Sequence, residues 1–343
     1  MNVIKLMFTD FSRWSKFRTE LMGITMCGII IDHIMGRLNA HNVVLDFISK
    51  VLHVETFLLL SGFGLFYSMN KGCKIIPFYL KRFQRVLFPF MVMVSPYLIY
   101  EFFIEKYSLL RLFLKVTSLD FWFNGNYIGA WYVAFSLVLY LLFPIFYKCV
   151  NRKRLLFSSI NTLVLIFTLI AVNILIEYYF PLKYSQIEIA LRHSPIFIVG
   201  IYIARFSLGN ISKKTIALYW CGVVFIILIL KLLTLKYGEW ISGSYYSDMK
   251  QLFYLPLISM IFFLLYKFNL ENILMKGFRW MGQYSLEIYI LHIVVYRFAV
   301  SLTGYQYLEN IVGDTAAVLS TVIVSLIICV PIHNFIEKLK SKI

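Results

Sequence analysis

The sequence contains little charge, and most of the charge that it has is of one sign. Charged residues make up 15% of its 343 positions, with 17 acidic residues against 33 basic ones, while hydrophobic residues make up 60%. A soluble domain has too little interior to bury that share of apolar side chains. The composition therefore excludes an ordinary soluble fold and predicts an integral membrane protein.

Cysteine is scarce and scattered. The five cysteines stand singly along the chain, without the paired spacing of a zinc site or the dense pattern of a disulfide framework. We expect them to be packing residues, and we expect no metal cofactor.

Linkers, low-complexity tracts and soluble-sized insertions are also missing, and ten apolar stretches fill the chain instead. Each is near the ~20 residues that a helix needs to cross a bilayer. We predict one all-α, polytopic membrane domain over residues 1–343. The predicted spans are 20–38, 47–69, 84–105, 128–148, 155–178, 187–206, 214–236, 250–267, 283–301 and 315–335.

The basic residues lie mostly in short loops between these stretches. Ten crossings put both termini on one side, and placing that side in the cytoplasm gives the inner loops a basic excess of about two to one. We therefore predict cytoplasmic termini. Because the net charge of +16 is explained by topology, nucleic acid is not an expected partner.

Ionisable residues interrupt the first two apolar stretches, where Asp32, His33 and Glu55 stand. A charged group in hydrocarbon is costly and by default faces the protein interior and works there. His33 lies 15 residues after Arg18, about 22 Å along a helix, and an antiparallel second helix brings Glu55 to a similar depth. A histidine whose imidazole is held by a neighbouring carboxylate is a good general base near neutral pH. The alternative is that both residues only meet water at the headgroup boundary.

A basic cluster, Lys81-Arg82-Phe83-Gln84-Arg85, stands where the third span leaves the cytoplasm. Positions 81, 82 and 85 share one face of a helix. This face is either an ordinary anchor for anionic lipid or a clamp for phosphates, which suits the planar fork of arginine.

The ninth span places Ser285 and His292 on one helix face, seven residues apart. His292 is either a histidine hydrogen-bonded to a neighbouring helix or a residue near the substrate. Four further histidines are weaker candidates, of which the first two lie at the outer loop: His41, His53, His193 and His333.

Four stretches of this sequence together resemble the membrane acyltransferase 3 family, whose members O-acylate sugars of bacterial surface polysaccharides. The likeness runs in order from about residue 18 to 335. It is carried by Leu21 to Asp32-His33, by Val54-Glu55-Thr56-Phe57 to Ser61-Gly62-Phe63, by Lys81 to Pro89, and by Ser285 to His292, with Trp131-Tyr132, Tyr140 and Pro144.

The resemblance implies a multi-pass enzyme of the bacterial cytoplasmic membrane that moves an acyl group, most simply acetyl, from acyl-CoA to a carbohydrate or lipid-linked glycan. It implies that His33 and Glu55 are catalytic. Arg82 and Arg85 would bind the donor together with Arg18. Many members have an arginine at the position of Met22, and here Arg18, one turn earlier, would take over that role. Residues expected near the substrate or behind the catalytic pair are Asp32, Ser61, Ser285 and His292.

Two other function classes remain open from the residues themselves. In a proton-coupled transporter or flippase of a polysaccharide intermediate, His33 and Glu55 would relay protons. A structural partner of polysaccharide synthesis would have no chemistry of its own. Apolar spans look alike against lipid and against a second copy, so they predict no oligomeric state.

Overall fold

The computed structural model of the protein is a bundle of helices. It describes residues 12–38, 42–125, 129, 131–208, 242–267, 273–303 and 314–342, with ten helical positions between 221 and 236. Across these ranges no residue is in a β-strand, so the predicted all-α fold is confirmed.

The helices follow one another with short connections. In chain order they are α1 (Ser12–Lys16), α2 (Arg18–Leu38), α3 (Val43–Val51), α4 (Val54–Asn70), α5 (Ile75–Arg82), a π-helical turn (Phe83–Leu87), α6 (Phe88–Glu105), α7 (Leu109–Val116), α8 (Asp120–Asn124), α9 (Trp131–Val150), α10 (Leu155–Tyr179), α11 (Pro181–Leu191), α12 (Ser194–Ser207), α13 (Ser242–Lys267), α14 (Ile273–Gln283), α15 (Ser285–Thr303) and α16 (Asp314–Lys340).

Six helical segments in the described part of the chain are long and apolar enough to cross a membrane. A seventh crossing is possible through α14 and α15, which are bent by 74° at Tyr284. The six segments are Arg18–Leu38, Ile75–Glu105, Trp131–Val150, Leu155–Tyr179, Pro181–Ser207 and Val318–Lys340. The protein is thus a multi-pass membrane protein, while the count of ten crossings and the side of the termini stay predictions.

The remaining predicted spans differ from full crossings for visible reasons. The second predicted span corresponds to α4, which has 17 residues. The eighth corresponds to the apolar part of α13, Tyr254–Lys267, which is shorter than a full crossing. The seventh, 214–236, lies largely outside the described residues.

Helix α4 lies at the centre of the bundle, whereas α10 lies at its edge. Every residue of α4 from Val54 to Phe63 is buried, as expected of a helix that is apolar on all faces. On α10 the buried residues are polar, namely Ser158, Thr162 and Asn173, and many of its apolar side chains are exposed. This helix therefore turns its polar stripe to the protein and offers its apolar surface to lipid.

Two glycines let α4 and α12 approach closely. A Cβ added at Gly62 would lie 2.2 Å from the carbonyl oxygen of Phe197, and one added at Gly200 would lie 2.2 Å from that of Leu59. Small residues at such a crossing allow backbones to meet, which is how helices gain packing contacts in lipid. The crossing fixes α4 in the centre of the bundle.

We expect Gly62→Ala or Gly200→Ala to destabilise the protein, because the obstructing atoms are backbone and must be pushed apart. Overpacking of this kind typically costs about 1–3 kcal/mol. The measurement is the thermal denaturation midpoint of detergent-purified protein. Gly277→Ala is the matched control, since a Cβ at Gly277 meets nothing within 4 Å; equal midpoints for all variants would contradict the close crossing.

Candidate active site

A cavity of about 590 Å³ lies at the N-terminal end of α2 and is rich in arginine. Arg18, Arg82 and Arg85 line it together, and we call it the arginine cavity. In the described chain none of the three has a carboxylate within 4 Å, and the buried Nε atoms of Arg18 and Arg82 have no hydrogen-bond partner. Glu337 lines the same cavity, where it interacts with Arg85 and pairs with Lys340. The guanidinium groups still outnumber the acid that faces them, so the cavity suits an anion.

The local sequence explains how two of these arginines reach the cavity. Pro89 has no N–H to donate to the Arg85 carbonyl, and its ring would crowd that oxygen in a regular helix. The helix widens into the π-helical turn at this point, and the N–H of Phe88 bonds to the Phe83 carbonyl five residues back. Such wide turns occur often at functional sites.

Arg18 occupies space that a glycine leaves open on α4. A Cβ added at Gly64 would lie 2.9 Å from Cζ of Arg18. Met22, one turn further along α2, lines the same cavity. Positions 18 and 22, the two candidates for the family arginine, therefore line the same cavity. Of the two, only Arg18 is charged.

A second cavity, of about 620 Å³, lies at the other end of α2. We call it the histidine cavity, because His33 lines it with Asp32 and Arg37. The two cavities come close together: Ile29 lines the first and Asp32 the second, about 4.5 Å apart along the helix axis.

Aromatic rings stand in the thin layer between the cavities. Tyr132 and Tyr289 line the arginine cavity and pack edge to face, with ring centroids 5.8 Å apart, while Trp131 faces the histidine cavity. Tyr289 also packs against His292, at 5.9 Å. A molecule that extends from the arginine cavity to His33 has to pass these rings.

His33 is hydrogen-bonded to His292. Nδ1 of His33 lies 2.7 Å from Nε2 of His292, and the rings are stacked. Nδ1 of His292 lies 2.8 Å from the carbonyl oxygen of Ile288. A carbonyl only accepts, so this nitrogen of His292 carries the proton and its Nε2 accepts from Nδ1–H of His33. In the neutral pair, the lone pair of His33 is therefore on Nε2, as a general base requires.

Glu55 is placed differently from its prediction. The sequence led us to expect it against His33, but its Oε2 lies 2.6 Å from Nδ1 of His53, and Nε2 of His53 lies 3.6 Å from Oδ2 of Asp32. His53 begins α4 as its N-cap residue, which aims it back towards α2. An imidazole can donate to both carboxylates only as an imidazolium. Glu55 is thus connected through His53 to Asp32, the neighbour of His33 in sequence. The sequence predicts His53 only at the outer loop.

The other predicted residues divide between the cavities. Ser61 and Ser285 line the arginine cavity, and Ser61 Oγ lies 3.5 Å from the Tyr132 hydroxyl. The same cavity contains a pair that the sequence did not single out, Glu287 and His333, with Oε1 and Nδ1 2.6 Å apart. Their positions are 46 residues apart in sequence, so no local pattern could have joined them.

No group of three histidine, cysteine or acidic residues is arranged to hold a metal ion within the described ranges. The cysteines among them are free thiols.

Comparison with known proteins adds one match. The family model for the acyltransferase 3 group, described as an acyltransferase domain, matches residues 21–332. The chain belongs to this acyltransferase family. No curated protein and no solved structure matches it. The protein is accordingly a membrane acyltransferase. The matched range contains Arg82, Arg85 and the histidine pair, whereas Arg18 precedes it.

We expect His292→Leu to lower the acyl-transfer rate about 100-fold, because general base catalysis is worth 10²–10⁴ and depends on the correct tautomer. His292→Gln should lose about tenfold less, since its amide oxygen can still accept from Nδ1–H of His33. The measurement is kcat at saturating donor, with folded protein quantified by size exclusion. Equal losses in both variants would contradict an orienting role for this nitrogen.

Proposed function

We propose that this protein transfers an acyl group, most simply acetyl, from acyl-CoA to a hydroxyl of a cell-surface polysaccharide or its lipid-linked precursor in the bacterial cytoplasmic membrane. The whole chain acts as one membrane domain. The observation that carries the proposal is the position of His33. It lines the cavity at one end of α2, about 6 Å along the helix axis from Ile29, which lines the arginine cavity.

The donor binds in the arginine cavity. Arg18 and Arg82 have buried Nε atoms without partners, and burying a cation without an anion is costly. Arg85 is exposed on the same lining, and together the three arginines favour a ligand with several negative charges. Arginine binds phosphate bidentately, and the phosphates of CoA supply this chemistry. The elongated arm of the same molecule then extends past Tyr132 and Tyr289 and carries the thioester to His33.

The acceptor enters the histidine cavity. Nε2 of His33 removes the proton of its hydroxyl while the oxygen attacks the thioester carbonyl, so that a C–O bond forms and the C–S bond breaks. The imidazolium of His33 then returns the proton to the departing thiolate, and CoA leaves as the thiol. Direct transfer of this kind needs no acyl-enzyme, although an acylated residue is compatible with the same geometry.

Glu55 acts as a positioning residue in this scheme. Asp32, His53 and Glu55 together carry one net negative charge when His53 is an imidazolium. A negative charge beside His33 stabilises the imidazolium that forms during transfer. Glu55 contributes by holding His53, and through it Asp32.

We expect Arg82→Gln and Arg85→Gln to weaken donor binding about tenfold or more each, because a charge-assisted hydrogen bond contributes about 1.5–3 kcal/mol. The measurement is the Kd of CoA and the KM of acetyl-CoA with the purified protein. Lys81→Gln is the control, since Lys81 is exposed and does not line the cavity. A donor affinity that falls as much in the control as in the arginine variants would argue for a general effect of charge.

We expect His33→Ala to abolish transfer of label from radiolabelled acetyl-CoA to cell-surface polysaccharide, a loss of about 10²–10⁴ in rate. Membranes with wild-type and variant protein are compared at levels matched by immunoblot, and CoA binding serves as the test of folding. Label incorporated equally by both proteins would exclude His33 as the base. If the wild type transfers no label while polysaccharide export depends on the protein, the chain is a transporter or flippase.

A further inference from the structure

Arg37 is placed next to the base rather than near the donor. It follows His33 by four residues on α2, so the two side chains lie on the same face one turn apart. Both line the histidine cavity. A ligand that presents a hydroxyl to His33 therefore lies within reach of Arg37.

The guanidinium of Arg37 lies over a tyrosine ring and has no anionic partner in the described part of the chain. Its Cζ lies 3.8 Å from the centroid of the Tyr296 ring, and its Nη1 is buried without a hydrogen-bond partner. Across the described residues no carboxylate lies within 4 Å of it. Stacking on the ring orients the plane of the donors, and the buried Nη1 leaves hydrogen-bonding capacity unused.

The remaining charges of the cavity do not neutralise Arg37. Arg297 lines the cavity as well, and it adds a second positive charge close to the first. Asp32 is the acidic residue on this lining, and His53 already faces it. Asp32 is therefore engaged by His53, and Arg37 presents a positive charge to a ligand of this cavity.

We propose that the acceptor is anionic, and that Arg37 binds its carboxylate or phosphate group while a neighbouring hydroxyl lies against Nε2 of His33. This inference rests on the proposed acyl transfer. The planar fork of arginine matches either anion bidentately. One turn of helix separates Arg37 from His33, about 6 Å along the axis, which suits a charged group and a hydroxyl of a single sugar residue.

A contact with bulk lipid headgroups explains the same arginine less well. A headgroup anchor extends into water and keeps its donors solvated. Arg37 instead has a buried Nη1 and has its Cζ over the Tyr296 ring, one helical turn from His33.

The experiment compares three acceptors that differ in one group: methyl glucoside, methyl glucuronoside and glucose 1-phosphate. Purified full-length protein in neutral detergent is tested for the Kd of each by calorimetry and for kcat/KM with radiolabelled acetyl-CoA. The variants are Arg37→Gln and Arg37→Lys. Arg111→Gln is the matched control, because Arg111 also stands over a tyrosine, Tyr107, but is exposed and lies outside the cavity.

We expect the wild type and Arg111→Gln to prefer an anionic compound over the glucoside by about tenfold or more in both measurements. Arg37→Gln should reduce that preference to about one, and Arg37→Lys should retain part of it. Preference for the glucuronoside identifies a sugar acid, and preference for the phosphate identifies a glycosyl phosphate of a lipid-linked precursor.

The proposal is overturned if the wild type does not distinguish the three compounds, or if Arg37→Gln keeps the full preference. The two proposals fail separately. Binding of the anion that depends on Arg37, without transfer of label to any compound, would reject acyl transfer and retain the anion site. Transfer to the glucoside as fast as to the charged compounds would retain acyl transfer and reject the anion site.

Discussion

The interaction on which this structure depends is the compensation of charge inside a membrane protein. Several acidic groups in the bundle have a partner of opposite charge: Glu20 pairs with Arg279, Glu101 with Lys115, and Glu55 with His53. A small set of arginines does not. Since an uncompensated charge in hydrocarbon is costly, the exceptions mark the places where ligands complete the protein. Among the described residues, Arg18, Arg37 and Arg82 are such arginines at the two cavities, and Arg85 lies near Arg18 and Arg82 with Glu337 on the same lining.

These exceptions fall into two groups at opposite ends of α2, and the histidine pair lies between them. The close crossing of α4 and α12, made possible by Gly62 and Gly200, supports this arrangement from the centre of the bundle. In the proposed transfer, the donor in one cavity and the acceptor in the other would meet at one imidazole.

The sequence predicts much of this architecture, because apolar length and buried charge are local properties. His33, Arg82 and Arg85 are predicted as site residues from their positions alone, and each lines one of the two cavities. The contact between His33 and His292 is not predicted: the two residues are 259 positions apart, and only tertiary packing brings their rings together. Glu55 was assigned to His33 by helix depth, but depth does not specify direction, and the N-cap position of His53 sets the contact that forms. The wide turn at Arg85 was also hidden, although Pro89 indicates it in retrospect.

Because His292 donates its hydrogen bond to the peptide carbonyl of Ile288, the histidine pair cannot pass a proton on beyond His292. When Nε2 of His33 takes up a proton, the proton on Nδ1 of His33 can move to Nε2 of His292. Transfer stops there, because Nδ1–H of His292 is bonded to an amide oxygen that has no proton to pass on. The proton must leave by the nitrogen at which it arrived. Proton conduction across the bilayer needs one site where the proton enters and a different one where it leaves. General acid–base catalysis needs only one nitrogen that accepts the proton and later donates it.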